Sequence, residues 1–229
     1  MIITFEGIDG AGKTTVSRLL FRKLEKNLPD VSYFQRSSTD FEDPFVRRHM
    51  EKFRKVLWPS EVLGKKKNPF GDAFWILALA AWFSVMEERR FKGASDDRVI
   101  IIESWFYRLV VKFVSKGFDE DWLLSLFQQV RRPERVILLD VDPTTSWRRR
   151  RDFSAFETGR WDGFCGDPEE AYTRFQSPVR EGLLRMARAR DWWIVPESWG
   201  SAEEVAERLA SRLLADLKPR REACRSQIS

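Results

Sequence analysis

Eight consecutive residues near the start of the chain constrain its fold more than any other feature. Residues 7–14 read GIDGAGKT, which matches the phosphate-binding pattern G-x-x-x-x-G-K-[ST] without a gap. A mostly apolar stretch at residues 2–5 precedes the motif, and Val16, Leu20 and Leu24 follow it at helical spacing. Glycines between a strand and a helix let backbone N–H groups point inward around an anion. The sequence therefore predicts a unit that binds a nucleoside triphosphate where a strand turns into a helix.

Two side chains of the motif have predicted tasks. The ammonium group of Lys13 can reach the β- and γ-phosphates, and the hydroxyl group of Thr14 can hold Mg²⁺. Thr15 fits the first turn of the following helix. The residues predicted to bind the nucleotide are Gly7, Asp9, Gly10, Ala11, Gly12, Lys13, Thr14 and Thr15.

The composition limits the classes of protein to consider. A chain of 229 residues is long enough for one sizeable α/β domain and short for two. No apolar run approaches the ~20 residues of a membrane span, and the first strand leaves no room for a signal peptide. Two cysteines without metal-like spacing fit a reducing cytoplasm, and a single histidine excludes a histidine-based metal site. We expect one cytoplasmic domain over residues 1–217, with no membrane partner.

The positive charge is concentrated at the end of the chain. The formal net charge is +5, and in residues 218–229 four basic side chains stand against the single acid Glu222. A nucleic-acid-binding domain would carry its basic residues on the folded surface, so no nucleic-acid partner is expected. We expect residues 218–229 to form a basic, disordered tail.

Strand and helix signals alternate along the whole chain. Residues 99–102 and 136–139 are continuous apolar runs, as expected for strands buried on both faces of a sheet. This alternation is typical of an α/β fold with a parallel sheet and helices on both faces. The predicted strands are 2–6, 31–36, 99–103, 135–141 and 192–196. The predicted helices are 13–27, 44–56, 70–92, 104–116, 119–130, 168–190 and 201–216.

Two irregular segments follow predicted strands. Residues 36–44 form a polar loop, and residues 148–168 begin with four arginines and contain three glycines. Ligands of open parallel sheets bind at the carboxyl ends of the strands, from which the phosphate loop also departs. The arginine segment has the arrangement of a lid that closes over phosphates and stabilises transition-state charge. Because adjacent helical residues point ~100° apart, at most two of the four arginines can reach the site.

An acid ends the third predicted strand. Glu103 directly follows a buried run, where an ionised carboxylate is costly unless it has a partner. It can hold Mg²⁺ through water or accept a proton from the phosphoryl acceptor. Glu103 and Lys13 are therefore predicted catalytic residues, and Glu103 with Thr14 forms the predicted metal site.

The chain resembles the thymidylate kinase family of P-loop kinases. The resemblance rests on residues 5–15, on residues 139–143 with the arginines that follow, and on Phe175 and Arg180. It covers nearly the full length, although only the first motif is close. It implies a five-stranded P-loop kinase fold with a lid over about residues 148–168.

The resemblance also implies roles on the acceptor side. Asp9 matches the phosphate-loop acid that touches the acceptor sugar in the family. Arg36 matches the arginine of the acceptor-phosphate loop, and Arg47 or Arg48 matches another arginine on the next helix. The family forms dimers through helices, so a homodimer is compatible with the sequence.

The lid arginines gain a role from the same resemblance. Family members without an arginine inside the phosphate loop supply one from the lid. Gly10 and Ala11 leave no arginine in the loop of this chain. The resemblance therefore favours Arg149 and Arg151 as catalytic residues.

The chain departs from the family at two acceptor-side positions. The family's Asp-Arg-Tyr after the third strand is here Glu103-Ser104-Trp105, and Arg108 lies about one turn later, where it could partly replace the arginine. The arginine and glutamine with which the family grips the acceptor phosphate and the thymine ring are absent from residues 80–84. Trp75 and Trp82 instead suggest a more apolar acceptor pocket, so the acceptor base stays open.

These features predict a Mg²⁺-dependent kinase that transfers the γ-phosphate of ATP to a nucleoside monophosphate, which need not be dTMP. Two alternatives remain open. A nucleoside kinase would phosphorylate a 5′-hydroxyl, with Glu103 as the candidate base and fewer acceptor-side arginines. A nucleotide-binding regulatory protein or NTPase would show no acceptor-dependent turnover.

Overall fold

Five parallel strands form the centre of the molecule. The computed structural model describes residues 1–58, 68, 70–93, 98–150 and 152–226, with side chains up to residue 217. The strands lie in the order β2-β3-β1-β4-β5, which confirms the predicted fold class. They are β1 (Ile2–Glu6), β2 (Val31–Phe34), β3 (Val99–Ile102), β4 (Arg135–Asp140) and β5 (Trp193–Pro196).

Helices pack around this sheet. Helix α1 packs against α8, and α7 packs against both α4 and α6. The helices are α1 (Lys13–Leu24), α2 (Pro44–Leu57), α3 (Asp72–Met86), α4 (Tyr107–Val114), α5 (Glu120–Leu126), α6 (Pro143–Arg149), α7 (Pro168–Ala189) and α8 (Ala202–Ser226). A π-helical turn, Glu87–Phe91, follows α3, and 3₁₀ turns cover Arg160–Asp162 and Glu197–Trp199. Among the described residues, none of the helices has the length and apolar character needed to cross a membrane.

The central strands are apolar because both faces of the sheet are covered. All residues of β1 and β3 are buried, and the two strands pair in parallel with Ile3 opposite Ile101. On its other side β1 pairs with β4, where Thr4 lies opposite Val136. This arrangement brings the carboxyl ends of β1, β3 and β4 to one edge, where the phosphate loop, Glu103 and the lid all begin.

Several predicted helix ends differ from the structure, among them that of α1, which ends at Leu24 instead of residue 27, and three of the differences have a local cause. Helix α4 begins at Tyr107 instead of residue 104, because the Trp105 N–H is held by the Glu6 carboxylate at 3.1 Å. Helix α5 ends at Leu126 instead of residue 130, where the backbone closes into successive turns. Helix α3 begins at Asp72, because the side chain of Asn68 accepts the N–H groups of the two residues before it.

The end of the chain also differs from the expectation. The backbone of α8 stays helical to Ser226, although disorder was predicted from residue 218. Alanine, leucine, glutamate and arginine dominate α8 as a whole, and all of them favour helix. Residues 227–229 of the predicted tail lie outside the described residues.

Neighbouring side chains leave no room for a larger residue at Gly10 in the phosphate loop. Gly10 has φ 78°, and a Cβ atom there would lie 2.3 Å from Ser146 Oγ and 2.7 Å from the ring of Phe153. Gly117 has a similar φ of 90° with nothing within 4 Å of the same position. A comparison of alanine substitutions at these two glycines therefore distinguishes the cost of backbone strain from the cost of a steric clash.

We expect Gly10→Ala to destabilise the protein more than Gly117→Ala. Both substitutions force an L-residue into left-handed backbone, at about 1–2 kcal/mol each. Only Gly10→Ala adds a clash with α6 and the lid, and overpacking of this kind costs typically about 1–3 kcal/mol more. Urea unfolding monitored by circular dichroism measures the difference, and equal losses for the two variants would contradict the close approach.

Candidate active site

The phosphate loop closes around its own lysine. The Lys13 ammonium group donates to the carbonyl oxygens of Gly7 and Ile8, at 3.0 and 2.6 Å. Gly12, with φ 88°, turns the chain into α1, whose first N–H groups face the loop. Burial lowers the pKa of Lys13 to about 8, and the carboxylate of Glu6 opposes this shift. A bound polyphosphate would meet a lysine and a helix N-terminus here.

Thr14 and Glu103 meet across the edge of the sheet. The Thr14 hydroxyl group donates to Glu103 Oε2 at 3.0 Å, and the Tyr33 hydroxyl group approaches the same oxygen at 3.5 Å. Hydroxyl and carboxylate oxygens are ligands that Mg²⁺ prefers, with the remaining positions left to water and substrate phosphates. Among the described residues there is no group of three or more His, Cys, Asp or Glu side chains placed to hold a metal. The pair offers one hydroxyl and one carboxylate oxygen of the kind that Mg²⁺ takes, and its role as a metal site stays a prediction.

A large cavity lies over the phosphate loop. This donor cavity has a volume of about 640 Å³. Two lid arginines line it: Arg149 donates to Glu197 at 3.1 Å, and Arg150 donates to Glu157 at 3.0 and 3.2 Å. Arg151 lies outside the described residues, so its predicted role stays a prediction. Arg150, which was not predicted as a catalytic residue, thus lines the donor cavity together with Arg149.

A second, more apolar cavity adjoins the first. This acceptor cavity has a volume of about 290 Å³. The rings of Trp75 and Trp161 lie 5.5 Å apart on its wall, and Phe156 meets Trp161 edge to face at 6.0 Å. An aromatic wall of this kind suits a planar ring.

The two cavities meet at four charged side chains, Asp9, Arg36, Arg108 and Glu157, which line both. Nη1 of Arg36 and Nε of Arg108 are buried and have no hydrogen-bond partner among the described residues. Burial lowers the pKa of both guanidinium groups, and the carboxylate of Glu6 opposes the shift in each case. Unused donors on two arginines at this junction favour an anionic ligand.

Asp9 is bonded at the junction through both its side chain and its backbone. Its carboxylate is 9% exposed and accepts from Arg108, from Lys112 at 2.8 Å and from Gln176 at 3.0 Å. Its backbone carbonyl accepts from the hydroxyl groups of Ser146, at 2.9 Å, and Tyr172. One phosphate-loop residue is therefore bonded to α4, α6 and α7.

A second buried acid supports the loop after β3. Glu6 is fully buried, and burial raises the pKa of its carboxyl group, while the nearby Arg108 and Lys13 pull it down. Its Oε1 accepts the N–H of Trp105 at 3.1 Å. This contact fixes the segment that presents Glu103 to the phosphate loop.

Two predicted acceptor residues lie outside the acceptor cavity. Arg47 donates from Nε to the carbonyl oxygen of Phe41 at 2.8 Å and lines neither cavity. Trp82 is fully buried and packs edge to face on Trp58, because α3 turns this position toward the core. Its indole N–H donates to the backbone carbonyl of Arg36 at 2.7 Å, so Trp82 helps to fix the backbone of Arg36 instead of lining the cavity. Trp75 does line the acceptor cavity, and its contact with an acceptor stays a prediction.

The sequence analysis missed four residues at the acceptor side. Lys112 lies one turn after Arg108 on α4, and this i, i+4 spacing was a readable signal that both point to one face. Phe156, Glu157 and Trp161 come from the lid, where irregular backbone gives no periodic signal. Burial holds the pKa of Lys112 well below its usual range, with the positive charge of Arg108 acting in the same direction.

Comparison with known proteins points to one family. The model of the family described as thymidylate kinase matches residues 5–209. The chain is 27% identical over 206 residues to a probable thymidylate kinase of Sulfurisphaera tokodaii, covering 90% of this chain and 92% of the relative. It is 28% identical over 233 residues to the thymidylate kinase of Symbiobacterium thermophilum, covering 96% and 95%. A crystal structure of thymidylate kinase from Ehrlichia chaffeensis superposes with a TM-score of 0.63 at 19% identity, covering 93% of this chain and 98% of that chain, and supports the fold alone.

We expect the affinity for ATP to fall as the pH rises through about 8. The predicted phosphate-binding form of Lys13 is the ammonium form, and with a pKa of about 8 this form is lost above that pH in the free protein. Binding restores the proton, so the affinity should fall by about tenfold per pH unit above 8. Titration calorimetry between pH 7 and 9.5 measures this slope. Lys13→Arg stays charged and should show a flat profile, and a flat wild-type profile would contradict the assignment.

Proposed function

This chain belongs to the thymidylate kinase family of ATP-dependent nucleotide kinases, and we propose that its acceptor is thymidylate. The observation that supports the proposal is the meeting of two cavities at Asp9, Arg36, Arg108 and Glu157. In-line phosphoryl transfer needs a donor and an acceptor phosphate that face each other where their charge is neutralised. The junction offers such a place.

On the donor side, we assign ATP to the larger cavity. The N–H groups of the phosphate loop and the Lys13 ammonium group would bind its phosphates. Thr14 and Glu103 would hold Mg²⁺, which when bound neutralises charge on the β- and γ-phosphates. Because the Thr14 hydroxyl group and the Glu103 carboxylate already lie within 3.0 Å, the two oxygens need little rearrangement.

The lid is proposed to supply further positive charge. Arg149 and Arg150 both line the donor cavity, and each is held by a carboxylate, Glu197 or Glu157. The phosphates of a bound nucleotide would compete with these carboxylates for the guanidinium groups. We propose that Arg149 and Arg150 stabilise the charge of the transferring phosphoryl group.

On the acceptor side, we assign the monophosphate to Arg36 and Arg108. Their buried, unpartnered nitrogens lie where the two cavities join. We assign to the Asp9 carboxylate, which accepts from three donors, the role of orienting the acceptor sugar. Lys112 lines the same cavity beside Asp9 and lies 4.9 Å from the ring centre of Phe156. The base would then lie against Trp75 and Trp161.

The two alternatives differ in what they leave unexplained. A nucleoside acceptor carries no phosphate, so Arg36 and Arg108 would keep unused buried donors. A regulatory NTPase needs no second substrate, so the acceptor cavity would have no occupant.

A homodimer stays a prediction. Phe74 and Leu77 on α3 are 38% and 50% exposed, and sedimentation of the purified protein would test whether it forms a dimer. A cytoplasmic location likewise stays a prediction.

The acceptor is identified by ADP release from Mg·ATP with thymidylate, thymidine, other nucleoside monophosphates or no acceptor. We expect turnover to require a monophosphate and to be fastest with thymidylate. Faster turnover with thymidine would favour a nucleoside kinase, and acceptor-independent release would favour an NTPase. Preference for another nucleoside monophosphate would refute the assignment of thymidylate as the acceptor, but it would still agree with a nucleotide kinase.

We expect Arg36→Ala to raise the KM for the acceptor by about 10–100-fold, because a hydrogen bond to a charged group contributes about 1.5–3 kcal/mol. The KM for ATP should stay within about threefold of the wild type. Arg47→Ala removes an arginine that lines neither cavity and is the matched control, with both KM values unchanged. If Arg36→Ala raised the KM values for ATP and for the acceptor equally, the assignment of Arg36 to the acceptor site would be contradicted.

A further inference from the structure

The acceptor cavity has two ends with different chemistry. Asp9, Arg36, Arg108 and Glu157 form the end that joins the donor cavity. Lys116 lines the acceptor cavity and not the donor cavity. It lies two helical turns, or about 12 Å, beyond Arg108 along α4 and the turn that follows this helix. The cavity therefore extends from the charged junction to a distal end beside Lys116.

Three segments of the chain meet at the distal end. The Lys116 ammonium group donates to Asp72 in the first turn of α3, at 2.7 Å, and to Asp162 in the lid. Asp162 directly follows Trp161, whose ring lies 5.5 Å from the ring of Trp75. Trp75 in turn lies one turn after Asp72 on α3. Trp161 is thus placed at the end of the acceptor cavity that is remote from the junction.

The indole N–H of Trp161 is a buried donor without an acceptor. Trp161 is 9% exposed and lines the acceptor cavity, and its Nε1 has no hydrogen-bond partner among the described residues. Three other buried tryptophans, Trp75, Trp82 and Trp105, each donate their indole N–H to an oxygen atom of the protein, at 2.7, 2.7 and 3.1 Å. Since a buried indole N–H normally has an acceptor, the unused donor of Trp161 indicates one that a ligand supplies.

The neighbouring polar side chains at the distal end already have protein partners. The carboxamide oxygen of Asn68 accepts the Trp75 indole N–H and two backbone N–H groups, and its amide nitrogen donates to Asp72 at 3.1 Å. Lys116 is held by two carboxylates. In this part of the described structure, Trp161 therefore differs from Asn68 and Lys116 in having its donor unused.

We propose that the indole N–H of Trp161 donates to the carbonyl oxygen at position 4 of a pyrimidine base, and so selects 4-oxopyrimidine nucleotides as acceptors. This inference rests on the proposed nucleotide kinase function. With the acceptor phosphate at Arg36 and Arg108, the edge of the base farthest from the sugar would lie at the distal end. The cavity volume of about 290 Å³ is at the lower end of the range for ligand sites, which suits a pyrimidine better than a purine.

A single donor at this place can discriminate between pyrimidines. Thymine carries a carbonyl oxygen at position 4, whereas cytosine carries an amino group there. An amino group that faced the indole N–H would leave two buried donors without an acceptor, and each such donor is costly. Because the N–H lies at the edge of the indole ring, Trp161 would meet the rim of the base, and stacking would fall to Trp75.

Steady-state kinetics with thymidylate and 5-methyl-2′-deoxycytidylate test the proposal. The second acceptor keeps the methyl group and carries an amino group in place of the carbonyl oxygen. The readout is the ratio of the two kcat/KM values, because incompletely folded protein lowers both values equally and cancels from the ratio. We expect the wild type to prefer thymidylate by at least about tenfold. Trp161→Phe keeps an aromatic ring and removes the N–H, so this preference should fall by about tenfold.

Trp75→Phe is the matched control. It changes the facing ring of the same wall, but the N–H that it removes is already bound to Asn68. We expect it to lower kcat/KM for both acceptors alike and to leave their ratio unchanged. A role of Trp161 in packing alone would give the same result for the two variants.

Three results would overturn the proposal and leave the kinase assignment intact. They are a wild type that turns over both pyrimidine acceptors equally well, an unchanged ratio in Trp161→Phe, and an equal fall of the ratio in Trp161→Phe and Trp75→Phe. Turnover of purine monophosphates alone would likewise contradict it and still agree with a nucleotide kinase. Absence of turnover with every monophosphate would instead contradict the proposed function, and this inference with it.

Discussion

The buried carboxylate of Asp9 is the contact on which the site depends. It lies in the phosphate loop, and Arg108 and Lys112 of α4 and Gln176 of α7 all donate to it. An unpaired buried carboxylate would be costly, and the three donors satisfy its oxygen atoms. Since Gln176 also donates to the backbone carbonyl of Glu157 at 2.7 Å, the same contacts reach the lid. The donor loop, the acceptor cavity and the lid are thus held in one arrangement.

This cluster concentrates charge where phosphates would meet. Arg36 and Arg108 keep buried donors without partners, and burial makes the charged forms of these groups costly. A bound phosphate would supply the missing acceptors. Fixed charges that do not reorganise stabilise a transition state better than mobile solvent does. The geometry is therefore suited to phosphoryl transfer between two bound nucleotides.

The sequence predicted the backbone around the phosphate loop well because its determinants are local. The glycine spacing before Lys13 and the apolar runs of β1, β3 and β4 each specify their own backbone, and the structure has them where expected. The acceptor half depends on contacts between distant segments. Trp82 was expected in the acceptor pocket because helical spacing alone does not tell which face of an entirely apolar helix meets the core. Arg47 was expected there by resemblance, yet Phe41 holds its side chain outside.

A double-mutant cycle on Asp9→Asn and Lys112→Met tests the central claim most directly. The free energy of unfolding is measured by urea denaturation for the wild type, both single variants and the double variant. If the pair joins the phosphate loop to α4, the two losses should deviate from additivity by at least about 1 kcal/mol. Losses that add within about 0.5 kcal/mol would mean that the two groups do not interact, and would contradict the account.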